Sequence, residues 1–312
     1  MRFGVFSGLL WGLDTVVLGI ALTMLPFSDP SQSASAVAIA GAFLHDALCA
    51  VWLLVYMGAR GRLSATIKAL KTHSGLAVMA GALLGGPIGM TGYLIAINNI
   101  GAGYTAIITA CYPAFGAALS YVTFKERMSK GQICALLVAL AGVMAVGFLS
   151  SGDSTLANPV TGLIGSILAV VGWGSEAVLC AWGMRDNAVS NDTALQIRET
   201  TSAIAYALIA LPLFGAWKFT AHAIPHLPTA VILLAALAGT ASYLCYYKSI
   251  EVIGAARAMA LNISYSAWAI IFGFVLQDAK PNVATIILCL LILVGTILAA
   301  SDWNELLRAG NR

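Results

Sequence analysis

Asp14 stands in "LLWGLDTVVL" (residues 9–18) and Glu176 in "VVGWGSEAVL" (170–179), each a carboxylate in a run that otherwise reads as hydrocarbon. An ionised carboxyl there loses its hydration, so it must be protonated, paired, or neutralised by a guest. In both runs a tryptophan precedes the acid by three residues, Trp11 before Asp14 and Trp173 before Glu176, which sets ring and carboxylate on one helix face. Tyr243 and Tyr247 lie one turn apart in "SYLCYY", and "LNISYSAW" sets Asn262 and Tyr265 on one face with Trp268 a turn further along. Ring faces around a carboxylate suit a cation with no N–H to donate, such as a quaternary ammonium. The candidate substrate site is therefore Trp11, Asp14, Trp173, Glu176, Tyr243, Tyr247, Asn262, Tyr265 and Trp268.

Each of these residues also has an ordinary reading. The rings could be packing, or belt residues of the kind expected at Trp52, Tyr56, Trp182, Trp217 and Trp303. Each acid could form a structural ion pair with Lys248, Arg198 or Arg257, placed near cytoplasmic helix ends, or with the "HD" pair in the middle of the second apolar run. That pair, His45 and Asp46, is also the candidate for binding a coupling proton, because a histidine titrates near neutrality and a buried acid can be shifted toward it.

The elements that must hold these residues follow from composition. Of 312 residues, 60% are hydrophobic and only 9% charged, against about 25% charged in soluble domains. One core cannot hide that much apolar surface, so the solvent must be lipid. Spans of about 20 residues fit near 3–25, 34–57, 75–97, 102–124, 132–150, 160–182, 195–217, 228–250, 255–277 and 283–301. The first is read as a retained span rather than a signal peptide, since it is long, holds an aspartate and lacks a clear cleavage site. Short connections leave no room for a soluble domain. Alternate sides of these spans receive fourteen and two Lys/Arg residues, the minority being Lys218 and Lys280. The positive-inside rule then places both termini in the cytoplasm.

The two halves, 1–151 and 152–312, resemble each other. "WGLDTVV" (11–17) matches "WGSEAVL" (173–179), "GYLIAI" (92–97) matches "SYLCYY" (242–247), and "IGAGYTAI" (100–107) matches "IGAARAMA" (253–260). Five spans per half is odd, so the second copy must cross the membrane inverted, an arrangement suited to alternating access at the repeat interface. The fold class expected is all-α integral membrane, with ten helices in two inverted five-helix repeats. In the third span Gly81, Gly85 and Gly89 recur four apart around Pro87, a pattern for close helix packing more than for gating. The six cysteines fall in apolar stretches without CxxC or histidine spacing, which points to neither disulfides nor a metal, and no cofactor is expected. The absence of HExxH and GxSxG argues against a membrane-embedded enzyme.

"YPAFGAALSYVTFKERMSKGQ" resembles the segment joining spans 4 and 5 in the drug/metabolite transporter superfamily. "FLHDAL", "LLGGPIGM", "WGSE", "ALQIRETTS", "SYLCYY" and "LNISYSAW" are similar to stretches of Lic-type choline permeases. That resemblance implies ten spans in inverted halves, and a choline pocket lined by Trp11, Glu176, the tyrosines of "SYLCYY" and Asn262. Asp14 departs from the pattern of those permeases, and the second half departs from the first in having Ser266 in place of the proline of "YPAF" and Asp278 near the place of Glu126. The expectation is a proton-coupled secondary transporter that imports choline or a related quaternary amine across the inner membrane. The alternative is an exporter of amino acids, polyamines or lipophilic cations. The expected partners are a choline-like cation and the lipid bilayer, with no nucleic acid and with a homodimer left open.

Overall fold

Backbone groups inside hydrocarbon have no water to bond, and long apolar segments satisfy them as helices. A computed structural model describes residues 1–149, 158–185, 189–277 and 282–301, with no strand among them. Asp278, Lys280, Trp303, Arg308, Arg312 and the expected boundary at 151/152 lie outside the described residues. In chain order the helices are α1 (Arg2–Leu22), α2 (Ala34–Ala59), α3 (Leu63–Ala69), α4 (His73–Leu83), α5 (Met90–Thr109), α6 (Tyr112–Phe124), α7 (Lys130–Leu149) and α8 (Pro159–Met184). They continue as α9 (Asn191–Ala205), α10 (Leu211–Leu213), α11 (Trp217–Ala223), α12 (Leu227–Ile253), α13 (Ala255–Asn262), α14 (Tyr265–Gln277) and α15 (Val283–Ala300). π-helical turns at Leu84–Gly89 and Tyr206–Ala210 carry α4 into α5 and α9 into α10.

Among the described residues, nine helical stretches are long and apolar enough to cross a membrane: Arg2–Leu22, Ala34–Ala59, His73–Gly101, Gly103–Phe124, Lys130–Leu149, Pro159–Met184, Leu227–Ile253, Ala255–Gln277 and Val283–Ala300. The chain is a multi-pass membrane protein. The stretch expected to span at 195–217 differs from these nine. It is helical from α9 through α10, but its first half carries Asp192, Gln196, Arg198 and Glu199 and is too polar to join them. Because α9 starts at Asn191, Arg198 lies two turns inside it, buried to 4% exposure. The expectation that Arg198 sits near a helix end is corrected accordingly.

In lipid, helices associate through close approach rather than hydrophobic drive. α1 sets Gly4, Gly8 and Gly12 against the α13–α14 segment, where an added methyl would meet Leu261, Ser264 and Trp268 respectively. On α8, Gly165 and Gly172 face the backbone of Gly92 and Gly89. α8 thus lies among α4, α5 and α6, and α1 among α12, α13 and α14; α2 runs beside α9 and α12, and α7 packs on α15. The largest apolar cluster joins Val78, Ala177, Tyr247 and Met259, from α4, α8, α12 and α13. Two glycines break the helices in the same way: Gly101 at φ 79°, ψ 161° and Gly254 at φ 86°, ψ 162°, a region essentially confined to glycine.

Candidate functional site

Six ionisable side chains from four helices meet inside the bundle. His45 Nε2 lies 3.0 Å from Asp14 Oδ1, and His45 Nδ1 3.4 Å from Asp46 Oδ1. A carboxylate thus lies at each nitrogen of the ring. Asp46 also accepts from the Ser202 hydroxyl at 2.6 Å and lies 3.5 Å from Arg198 Nη1. Arg198 donates through Nε to Glu176 Oε1 at 2.5 Å, and its Nη1 is 2.9 Å from Glu199 Oε1. Four carboxyl groups therefore face two basic groups, and full ionisation would leave two negative charges uncompensated in a low-dielectric interior.

The aromatic residues fall into two groups. Arg198 Cζ lies 4.8 Å from the centre of the Tyr243 ring, and Trp11 meets the same ring edge-on at 4.6 Å and His45 at 6.3 Å. Tyr247 is fully buried next to Tyr243 and donates to Cys180 Sγ at 3.1 Å. The second group centres on Trp173, one turn from Glu176 on α8, with Tyr93 at 5.4 Å and Tyr112 at 5.9 Å between ring centres. The Tyr112 hydroxyl donates to Asn262 Oδ1 at 3.2 Å, and Asn262 Nδ2 donates to Ser7 Oγ at 2.8 Å. Trp268 packs on Gly12, and its indole N–H is buried with no acceptor among the described residues. Tyr265 is half-buried at the start of α14.

The structure therefore brings Trp11, Asp14, His45, Asp46, Glu176 and Tyr243 together, and joins Trp173 to them along α8. Both midspan acids have fixed protein partners, Asp14 in His45 and Glu176 in Arg198. Of the belt candidates, Trp52 donates to the Leu233 carbonyl on α12 at 3.0 Å, whereas Trp182 and Trp217 are exposed.

Glycine in the π turn makes room for the site. A methyl on Gly85 would overlap the Glu176 carboxylate, one on Gly86 the Ser202 hydroxyl, and one on Gly89 would press on the Trp173 indole. Inside "LGGPIG", Pro87 has no N–H for the ladder, and the wider π turn accommodates it. Sequence reasoning missed Glu199 and Ser202. The signal lay in "QIRETTS", a polar patch inside a stretch that had to be helical and buried.

The sequence pattern of the EamA-like transporter family matches residues 2–148 and 160–301, and the chain belongs to that family. The chain is 29% identical over 297 residues to Protein LicB of Haemophilus influenzae, with 95% of each chain covered. A solved crystal structure of a protein 18% identical superimposes with a TM-score of 0.72 over all of this chain and 98% of that one, a likeness of fold alone. The protein is a membrane transporter.

Proposed function

We propose that the protein carries choline or a closely related quaternary amine by alternating access, and that the guest is held by Glu176 with the faces of Tyr243 and Trp11. The observation that carries this reading is the excess of acids over bases in a buried cluster edged by rings. Arg198 already uses both features a quaternary ammonium would use, the carboxylate of Glu176 and the face of Tyr243. It is a tethered stand-in for the substrate. When the amine arrives, Arg198 yields Glu176 and keeps Asp46 and Glu199, which its Nη1 already touches.

The architecture proposed is ten crossings in two inverted halves, 1–151 and 152–312, with both termini on the cytoplasmic side of the inner membrane. Several features support it. Ser301 Oγ, just past α15, lies 4.0 Å from Met1 Sδ, a contact expected of a chain that crosses an even number of times. Nine apolar stretches need a tenth, and α9–α10 supplies it. Exchanging the halves maps the packing onto itself: α1 on α12 corresponds to α8 on α4–α5, α1 on α13–α14 to α8 on α6, while α2 with α9 and α7 with α15 are self-paired. Gly101 and Gly254 occupy matching places with matching dihedrals. Removing buried Arg198 from the basic tally leaves the charge asymmetry, and hence the orientation, unchanged.

Thermal unfolding of the purified protein tests the substrate. Choline is expected to raise the midpoint of the wild type, neutral aromatic amino acids are not, and Glu176→Gln is expected to abolish the choline shift. An undiminished shift in Glu176→Gln would refute the site.

A further inference from the structure

Glu199 is 0% exposed, and among the described residues neither of its carboxyl oxygens receives a hydrogen bond. Arg198 Nη1 is 2.9 Å away, but its N–H groups do not point at Glu199, so that contact is Coulombic only. The other acids are better served. Asp14 has His45; Asp46 has His45, Ser202 and Arg198; Glu176 has Arg198 Nε. A buried carboxylate without a donor loses its hydration and regains little, so in this cluster it is the acid that keeps its proton.

The groups around Glu199 are those of the cluster. α9 itself supplies Arg198; α2 supplies His45, Asp46 and Cys49; α8 supplies Glu176 and Cys180; α12 supplies Tyr243, and the π turn after α9 supplies Tyr206. Of the remaining helices against α9, α4 has one titratable side chain, His73, at its first residue, and α3 has Lys68, which is exposed. Among the described residues, no base beyond Arg198 and His45 is therefore at hand to neutralise Glu199. With Asp14 against His45 and Asp46 against Arg198, two acids are left over. A monovalent cation at Glu176 and a proton on Glu199 would neutralise both.

We infer that Glu199 is the seat of the transported proton, so that one proton on Glu199 and one monovalent cation at Glu176 together make the loaded cluster neutral. The proton binds as a carboxyl O–H and leaves by ionisation of the same group, without any co-reactant. The second half of this inference rests on the cation-transport reading above; the first half, the un-ionised carboxyl, does not. His45 and Asp46, the residues whose types suggest proton coupling, hold the network in place by their mutual contact instead.

Two measurements test it. Infrared spectra of the full-length protein in lipid at neutral pH should show the carbonyl stretch of an un-ionised carboxyl, absent in Glu199→Gln and retained in Glu176→Gln. Persistence of the band in Glu199→Gln would overturn the assignment. Proteoliposomes carrying a pH-sensitive dye should move about one proton per choline in the wild type, and the ratio should fall to zero in Glu199→Gln whatever its residual rate. An unchanged ratio in that variant, or choline flux without protons in the wild type, would overturn the coupling. A wild type that moves no choline at all would refute the substrate reading, while the infrared band would still decide where the proton sits. Glu199→Asp, which keeps the acid, should retain the band, and this separates loss of the proton from loss of the fold.

Discussion

A buried charge is tolerated only as part of a set. Asp14 and His45, 3.0 Å apart with 2% and 7% of their side chains exposed, are each the other's principal counter-charge. Removing one partner of such a pair typically costs about 3–5 kcal/mol because the other is stranded. Asp14→Asn should therefore lower the unfolding midpoint clearly, and Asp14→Asn combined with His45→Gln should recover part of the loss; thermal unfolding in detergent checks both. In the proposed site Tyr243 acts through its ring. A desolvated cation–π contact is worth about 2 kcal/mol, so Tyr243→Leu should weaken choline binding roughly thirtyfold, while Tyr243→Phe should stay near wild type. Titration calorimetry separates these outcomes.

At the scale of the element, glycines decide how close the charged faces come. Gly85 lies beneath the Glu176 carboxylate, and Gly85→Ala should push that side chain off Arg198 and lower choline flux at least tenfold without unfolding the protein, a change of about 1.4 kcal/mol or more in site energetics. Gly101 and Gly254 serve a different purpose, as reversals between consecutive crossings. Alanine at either should cost about 1–3 kcal/mol of backbone strain. Gly19 on α1 has nothing within 4 Å and is the control; Gly19→Ala should leave the unfolding midpoint unchanged or slightly raised.

For the whole molecule, the charge cluster sits where α1, α2, α8 and α9 meet, which in the proposed inverted-repeat arrangement is two helices from each half. Any relative movement of the halves must then break or remake the contacts of Arg198 with Asp46 and of His45 with Asp14. A further link joins the halves at one face: Arg62, before α3, pairs with Asp192 in the first turn of α9 and donates to Ser190 Oγ at 3.0 Å. Even crossing number is directly testable. With the six native cysteines replaced, single cysteines introduced at positions 2 and 301 should be labelled by a membrane-impermeant thiol reagent from the same side of oriented vesicles; opposite labelling would remove the ten-span arrangement.

Much of this was legible in the residues. Composition required lipid as solvent, apolar runs of about 20 residues required helices rather than the shorter strands of a barrel, and an acid in hydrocarbon stands out as a candidate wherever it lies, as Asp14 and Glu176 do. The matched "IGAGYTAI" and "IGAARAMA" also sit at glycines with the same unusual backbone. The partner of each acid was not legible. Asp46 and Arg198 are 152 residues apart and Asp14 and His45 are 31 apart, and no local periodicity encodes which turns of separate helices come to face each other. Arg198 looked like a helix-end charge because the expected crossing began at 195, whereas α9 starts at Asn191 and is polar over its first half. It is polar because its partners come from α2 and α8, and ion pairing is a through-space energy that only the assembled bundle decides.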